Sequence, residues 1–116
     1  IQSYLEEDEN YVVHSSKDAD RGKLAITEYE VLKETDKFSL LKINLLTGKK
    51  NQIRVHLAGE GHAIVGDAKY GKAPTKFKDL YLHSAVLEFT HPFNQKRLRF
   101  TAPVPHYFKT LITYDF

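Results

Sequence analysis

A chain of 116 residues, 41% hydrophobic and 28% charged, is long enough for one small domain and has the composition of neither a disordered nor a fibrous polymer. Its net charge is +2, and no apolar run approaches the roughly 20 residues that a membrane-spanning helix requires. The acidic opening IQSYLEEDEN lacks the basic start and apolar core of a signal peptide. The absence of cysteine excludes disulfide frameworks and thiolate metal sites, as suits a reducing, cytoplasmic compartment.

The chain begins at Ile1 and contains no methionine, so a piece of something longer is expected. Residues 1–20 speak mainly through charge: Glu6, Glu7, Asp8, Glu9, Asp18 and Asp20 stand against Lys17 alone. Residues 25–34, AITEYEVLKE, set Ile26, Tyr29 and Val31 among polar neighbours, and their β-branched and aromatic content predicts a strand. A second strand is expected over 38–46, with Ser39, Leu41, Ile43 and Leu45 on one face and Lys42 and Asn44 on the other. The three residues Thr35-Asp36-Lys37 between them suit a hairpin, hence an antiparallel pair.

Thr47-Gly48 breaks that strand. Over 51–59 the spacing of Ile53, Leu57 and Ala58, with Val55 to one side, predicts a short helix capped by Asn51 and ended by Gly59 or Gly61. Ala63-Ile64-Val65 reads as a short strand, and Gly66-Asp67 and Tyr70-Gly71 as turns. Beyond a basic loop, residues 80–92 read as a long strand ending at Pro92. Residues 93–96 turn, and 97–103 return as its partner. From Pro105 onward, Phe108, Leu111 and Ile112 recur at helical spacing. The expected class is α+β: a mixed, mainly antiparallel sheet with short helices.

Few residues carry recognisable chemistry. The six histidines, His14, His56, His62, His83, His91 and His106, with Asp67, could in principle ligate a metal but show no ligand spacing such as HExxH. His83 and Ser84 are adjacent, and neighbours on a strand face opposite ways, so they form no dyad. The glycines make neither a GxGxxG nor a P-loop. Residues 47–78 hold Lys49, Lys50, Arg54, Lys69, Lys72, Lys76 and Lys78 against Glu60 and Asp67. Such a segment suits a polyanion, or simply a solvated surface.

Arg54 is the exception. It sits between Ile53 and Val55 on the expected helix, where an unpaired charge would be costly. Either its stem packs on apolar neighbours while its head reaches water, or its planar fork pairs with a carboxylate or phosphate. Several acidic residues are available, but no spacing marks one as the mate.

The run from Leu45 to Gly71 resembles a signature of RluA-type pseudouridine synthases. It comprises Leu45, Thr47-Gly48, Gln52-Ile53-Arg54-Val55-His56-Leu57-Ala58, Gly61-His62, Ile64, Gly66-Asp67 and Tyr70-Gly71. Lys23, Ala25, Thr27, Tyr29, Val31 and Leu32 resemble the preceding strand of that family, Leu82-His83-Ser84 its Leu-His-Ala segment, and Phe100, Ala102-Pro103 and Pro105 its apolar exit strand. The likeness begins near residue 22.

The resemblance implies an RNA isomerase that needs no cofactor or metal. It would flip a uridine out of structured RNA, rRNA or tRNA, break the N-glycosidic bond and rejoin the base through carbon. It implies that Arg54 pairs with an aspartate of a His-Arg-Leu-Asp motif, that Gln52 belongs to the same site, that Leu82 packs on the uracil, and that Lys49, Lys50, Lys69 and Lys72 meet the RNA backbone. These 116 residues contain neither His-Arg-Leu-Asp nor the family's Lys-x-Tyr. They also carry Thr47-Gly48-Lys49-Lys50-Asn51-Gln52 where the family often has Thr-Gly-Arg-Thr-His-Gln. Residues 1–116 are therefore expected to be one segment, the C-terminal portion of such a catalytic domain, inactive alone and with the mate of Arg54 outside it. The alternatives are a stand-alone RNA-binding module without catalysis and a structural or protein-interaction domain.

Overall fold

The longest strand organises the first part of the chain. The alternation seen from residue 25 starts two residues earlier and runs over Lys23–Glu34 (β3), and a tight loop returns it as Ser39–Leu45 (β4). The two are antiparallel, pairing Thr27 with Leu45 and Glu34 with Ser39, with an irregularity between Val31 and Lys33. On the other side of β3 lies a second hairpin, Gln2–Glu7 (β1) and Val13–Ser16 (β2), giving the strand order β2-β1-β3-β4. β1 takes the first half of β3, pairing Gln2 with Ile26 and Leu5 with Lys23. The acidic opening, read above only as charge, is thus the inner strand of a sheet. Its inward positions are Ser3 and Leu5, and a serine in the core weakens the apolar alternation that reveals a strand.

The computed structural model describes residues 1–72 and 74–116, and they fall into two units, Ile1–Tyr81 and Leu82–Phe116. In the first unit the predicted helix is present as Gln52–Gly59 (α1). It lays Val55 against Leu5, Val13 and Ala25, with Tyr70 packed alongside. Val55, expected off to one side, is therefore in the core, while Ile53 is half-buried. Asn51 stands at the N-cap position, but in a left-handed conformation and with no side-chain cap bond. Its amide instead donates to the Tyr70 hydroxyl at 3.2 Å. Ala63-Ile64-Val65, expected as a strand, is irregular. The turns expected at Gly66 and Tyr70 are there. Gly66 has φ +86°, and a Cβ there would collide with the Asp79 carbonyl oxygen, so only glycine fits.

The second unit is an antiparallel pair, Val86–Thr90 (β5) and Arg97–Thr101 (β6), followed by a 3₁₀ turn, His106–Thr110. The strand expected over 80–92 is shorter than predicted, so His83 and Ser84 precede it and the argument from alternating faces does not apply to them. The helix expected after Pro105 is the tighter 3₁₀ form. The class is α+β with mainly antiparallel pairing, as expected. No helix among the described residues is long and apolar enough to cross a membrane.

Candidate functional site

The core of the first unit is half polar. Ser3, Thr27, Gln52, His56 and Asp67 are each no more than 3% exposed. Such groups are tolerated inside only when bonded, and here all of them but Asp67 form one connected chain. The Thr47 hydroxyl donates to Gln52 Oε1 (2.8 Å), and Gln52 Nε2 donates to Thr27 Oγ1 (2.9 Å) and to the Ile26 carbonyl (3.0 Å). Thr27 Oγ1 shares a 2.8 Å bond with His56 Nδ1. On the other side of the ring, His56 Nε2 shares a 2.9 Å bond with Ser3 Oγ, which also accepts from Ser15 Oγ (2.7 Å). Burial, with the N-terminal ammonium and Lys17 nearby, pushes the His56 pKa below its ordinary value, which favours the neutral ring.

That chain fixes α1 to β1 and β3, and Arg54 points from the helix onto the loop that follows. Arg54 Nε donates to Asp67 Oδ2 (3.0 Å) and Nη2 to Oδ1 (2.8 Å). This is a two-bond fork, the geometry for which a planar guanidinium is suited. The Asp67 side chain is wholly buried, while that of Arg54 is 22% exposed. Asp67 Oδ1 also accepts from the backbone N–H groups of Lys69 and Tyr70, both at 3.1 Å. Burial opposes ionisation of Asp67, but the Arg54 hydrogen bond and the two turn N–H groups outweigh it and hold the carboxyl below its usual range. The same bond raises the Arg54 pKa.

Within these 116 residues Arg54 thus already has one carboxylate mate, Asp67, which no spacing in the sequence marked. The physical reason is the tight turn at Gly66, which folds residue 67 back against Arg54, 13 positions earlier on the helix. Nη1 lies outside the fork. Tyr70 completes the arrangement. Its ring lies 5.1 Å from the guanidinium carbon, and its hydroxyl accepts from Val13 N (3.1 Å), tying the turn to β2. Asp67 and Tyr70 carry the geometry although the sequence reading gave neither a role beside Arg54. Their signal was there, because both belong to the Gly-Asp-x-x-Tyr-Gly run that follows the helix.

The remaining site residues separate. Gln52 is 2% exposed, and its Oε1 accepts from Lys49 N (3.0 Å) as well as from Thr47. Its amide is used within the protein, so Gln52 braces the Thr47-Gly48-Lys49 loop rather than offering a surface contact. Lys49 and Lys72 are exposed. Lys50 pairs with Glu7 at 2.6 Å and stands 5.6 Å from the Tyr11 ring. Lys69 Nζ donates to the Tyr11 carbonyl at 2.8 Å. Leu82 opens the second unit, 36% exposed. Among the described residues no three His, Asp or Glu side chains gather as a metal site would require.

The RNA pseudouridylate synthase family model matches residues 1–59, which hold β1 to β4 and α1 with Arg54. An RNA pseudouridine synthase of Bacillus subtilis, YlyB, is 40% identical over 92 residues, covering 78% of this chain and 30% of that protein. Ribosomal large subunit pseudouridine synthase C of Buchnera aphidicola is 37% identical over 100 residues, covering 79% of this chain and 32% of that protein. Ribosomal large subunit pseudouridine synthase D of Zymomonas mobilis is 35% identical over 94 residues, covering 73% and 30%. The chain thus spans about a third of the length of these relatives. With a match across more than half its residues and these relatives beside it, the chain belongs to the RNA pseudouridylate synthase family, as the RluA-type run from Leu45 to Gly71 implied.

Proposed function

We propose that this chain is the C-terminal segment of the catalytic domain of an RNA pseudouridine synthase acting on structured RNA. The observation that carries the proposal is Arg54, a fixed cation in the family-matched helix, oriented through two of its nitrogens by a buried carboxylate. In this reading Asp67 is the positioning residue. It spends the Nε edge of the guanidinium and presents Nη1 to the catalytic aspartate of a His-Arg-Leu-Asp segment, which these 116 residues do not contain. A carboxylate that works beside RNA phosphates stays ionised more readily next to such a cation. Leu82 packs on the flipped uracil, and Lys49, Lys50, Lys69 and Lys72 meet phosphates. The names of the Buchnera and Zymomonas relatives point to ribosomal RNA as the substrate class, with tRNA the other candidate. The reaction needs no cofactor or metal, and a cytoplasmic setting suits a cysteine-free chain.

Pseudouridine formation joins C1′ of the ribose to C5 of the base and frees the C5 hydrogen. Tritium release from RNA carrying 5-tritiated uridine is therefore a direct test. The 116-residue chain alone is expected to release none, and a chain extended to include a His-Arg-Leu-Asp segment is expected to release tritium in an Arg54-dependent way. No release from the extended chain would refute the enzymatic reading. A second reading, RNA binding without chemistry, draws support from the fact that Asp67 already neutralises Arg54. It predicts retained RNA affinity in both chains and turnover in neither.

A further inference from the structure

The hairpin that joins β1 to β2 breaks a local rule. Its turn is closed by Tyr11 N–H to the Asp8 carbonyl (3.1 Å), and Asp8 N–H reaches the Val12 carbonyl (2.9 Å). Asp8 Oδ1 accepts from Asn10 N (2.8 Å) and Val12 N (3.0 Å). In hairpins of this length the residue that leaves the turn takes a left-handed conformation, and glycine is the usual choice. Here that residue is Tyr11, with φ 62°. A bulky side chain in this region is a steric outlier, and burial gives nothing back, because Tyr11 is 69% exposed. Local rules broken without a return in packing are where function is to be sought.

The backbone beneath the ring is also held in place. Lys69 Nζ bonds the Tyr11 carbonyl (2.8 Å), and Lys50 Nζ stands 5.6 Å from the ring centroid. Both lysines come from the segment that bears Arg54 and Asp67. Two of the four carboxylates around the tip are occupied, Glu7 by Lys50 at 2.6 Å and Asp8 Oδ2 by His14 Nε2 at 2.7 Å, while Glu6 and Glu9 are exposed. An exposed aromatic ring on a pinned backbone, flanked by cations, is the arrangement on which single-stranded nucleic acids stack.

We propose that Tyr11 is a stacking platform for an unpaired nucleobase of the bound RNA, with Lys50 and Lys69 beside it for the flanking phosphates. The proposal rests on the RNA-binding reading above and adds a contact that reads unpaired against paired RNA. Its test compares binding of the 116-residue chain to a fluorescent RNA stem-loop and to a fully paired RNA duplex. Three proteins are needed: wild type, Tyr11→Gly and Tyr11→Phe.

Tyr11→Gly is the informative variant, since glycine suits the backbone and the fold should be at least as stable. It is expected to bind the stem-loop about fivefold or more weakly and the duplex unchanged, whereas Tyr11→Phe stays within about twofold on both. Wild-type affinity for the stem-loop from Tyr11→Gly, with salt-dependent RNA binding intact, would overturn the stacking role and leave the RNA reading standing. Equal loss on stem-loop and duplex, or a lowered melting temperature in Tyr11→Gly, would also overturn it. No wild-type binding to either RNA at low salt would remove both.

Discussion

Each unit of this chain has arginine facing a carboxylate, and the two cases differ in every respect that matters. In the first, Arg54 and Asp67 meet through a two-bond fork around a wholly buried carboxylate that also takes two backbone N–H groups. In the second, Arg97 and Arg99 reach Glu88 across β5 and β6 at 3.3 and 3.1 Å, with all three side chains at least 42% exposed. The chemistry is the same, but water is excluded from one and screens the other. Counting ion pairs would rank Glu88 first. Burial ranks Asp67 first, and of the two pairs that one fixes where a guanidinium lies.

The largest effect should come from opening the buried pair. Arg54→Ala leaves the Asp67 carboxylate without its cation in a site closed to water, and a loss of about 3–5 kcal/mol is expected in denaturant unfolding. A loss below about 1 kcal/mol would mean that water reaches Asp67, and the contrast between the units would collapse.

A smaller effect separates the polar core from the surface by pH. The His56 pKa is lowered in the folded state from an ordinary value of 6.5. As pH falls through about 6.5, the unfolded chain binds a proton that the folded chain refuses, so stability falls, then levels off below the folded value. Asp67 acts in a separate window. Its folded pKa lies below 3.8, so its contribution is present above that value and is lost only on further acidification. Melting temperature should therefore drop from about pH 7 to about pH 5, with a shallower slope in His56→Gln. An unchanged slope would assign the drop to other groups.

The smallest effect is expected at the surface. Glu88→Ala should change stability by no more than about 0.5 kcal/mol, and added salt should reduce even that.

What the sequence made legible follows the same division. The hairpin of β3 and β4 was readable because alternation and a three-residue loop are local signals, and α1 because Ile53, Leu57 and Ala58 recur at helical spacing. β1 was not readable, since it faces the core with Ser3 as well as Leu5, and a hydroxyl bonded to His56 looks polar to any hydropathy pattern. The mate of Arg54 was missed for a different reason. Periodicity describes an element, whereas Asp67 meets Arg54 across the end of a helix and a glycine turn, a contact that only the folded chain defines. The strand at β5 was drawn too long because the apolar residues Leu80, Tyr81 and Leu82 precede it without joining it.

One consequence of the Thr47-Gln52-Thr27-His56-Ser3 chain concerns aim. An eight-residue helix resting only on oily neighbours can roll or slide at little cost, since oil has no preferred bearing. This helix is instead keyed to the sheet by groups that tolerate few angles, so its rotation about its own axis is set. Whatever reagent meets residue 54 then finds the cation on a constant heading, much as a gear tooth keeps its phase on a splined shaft.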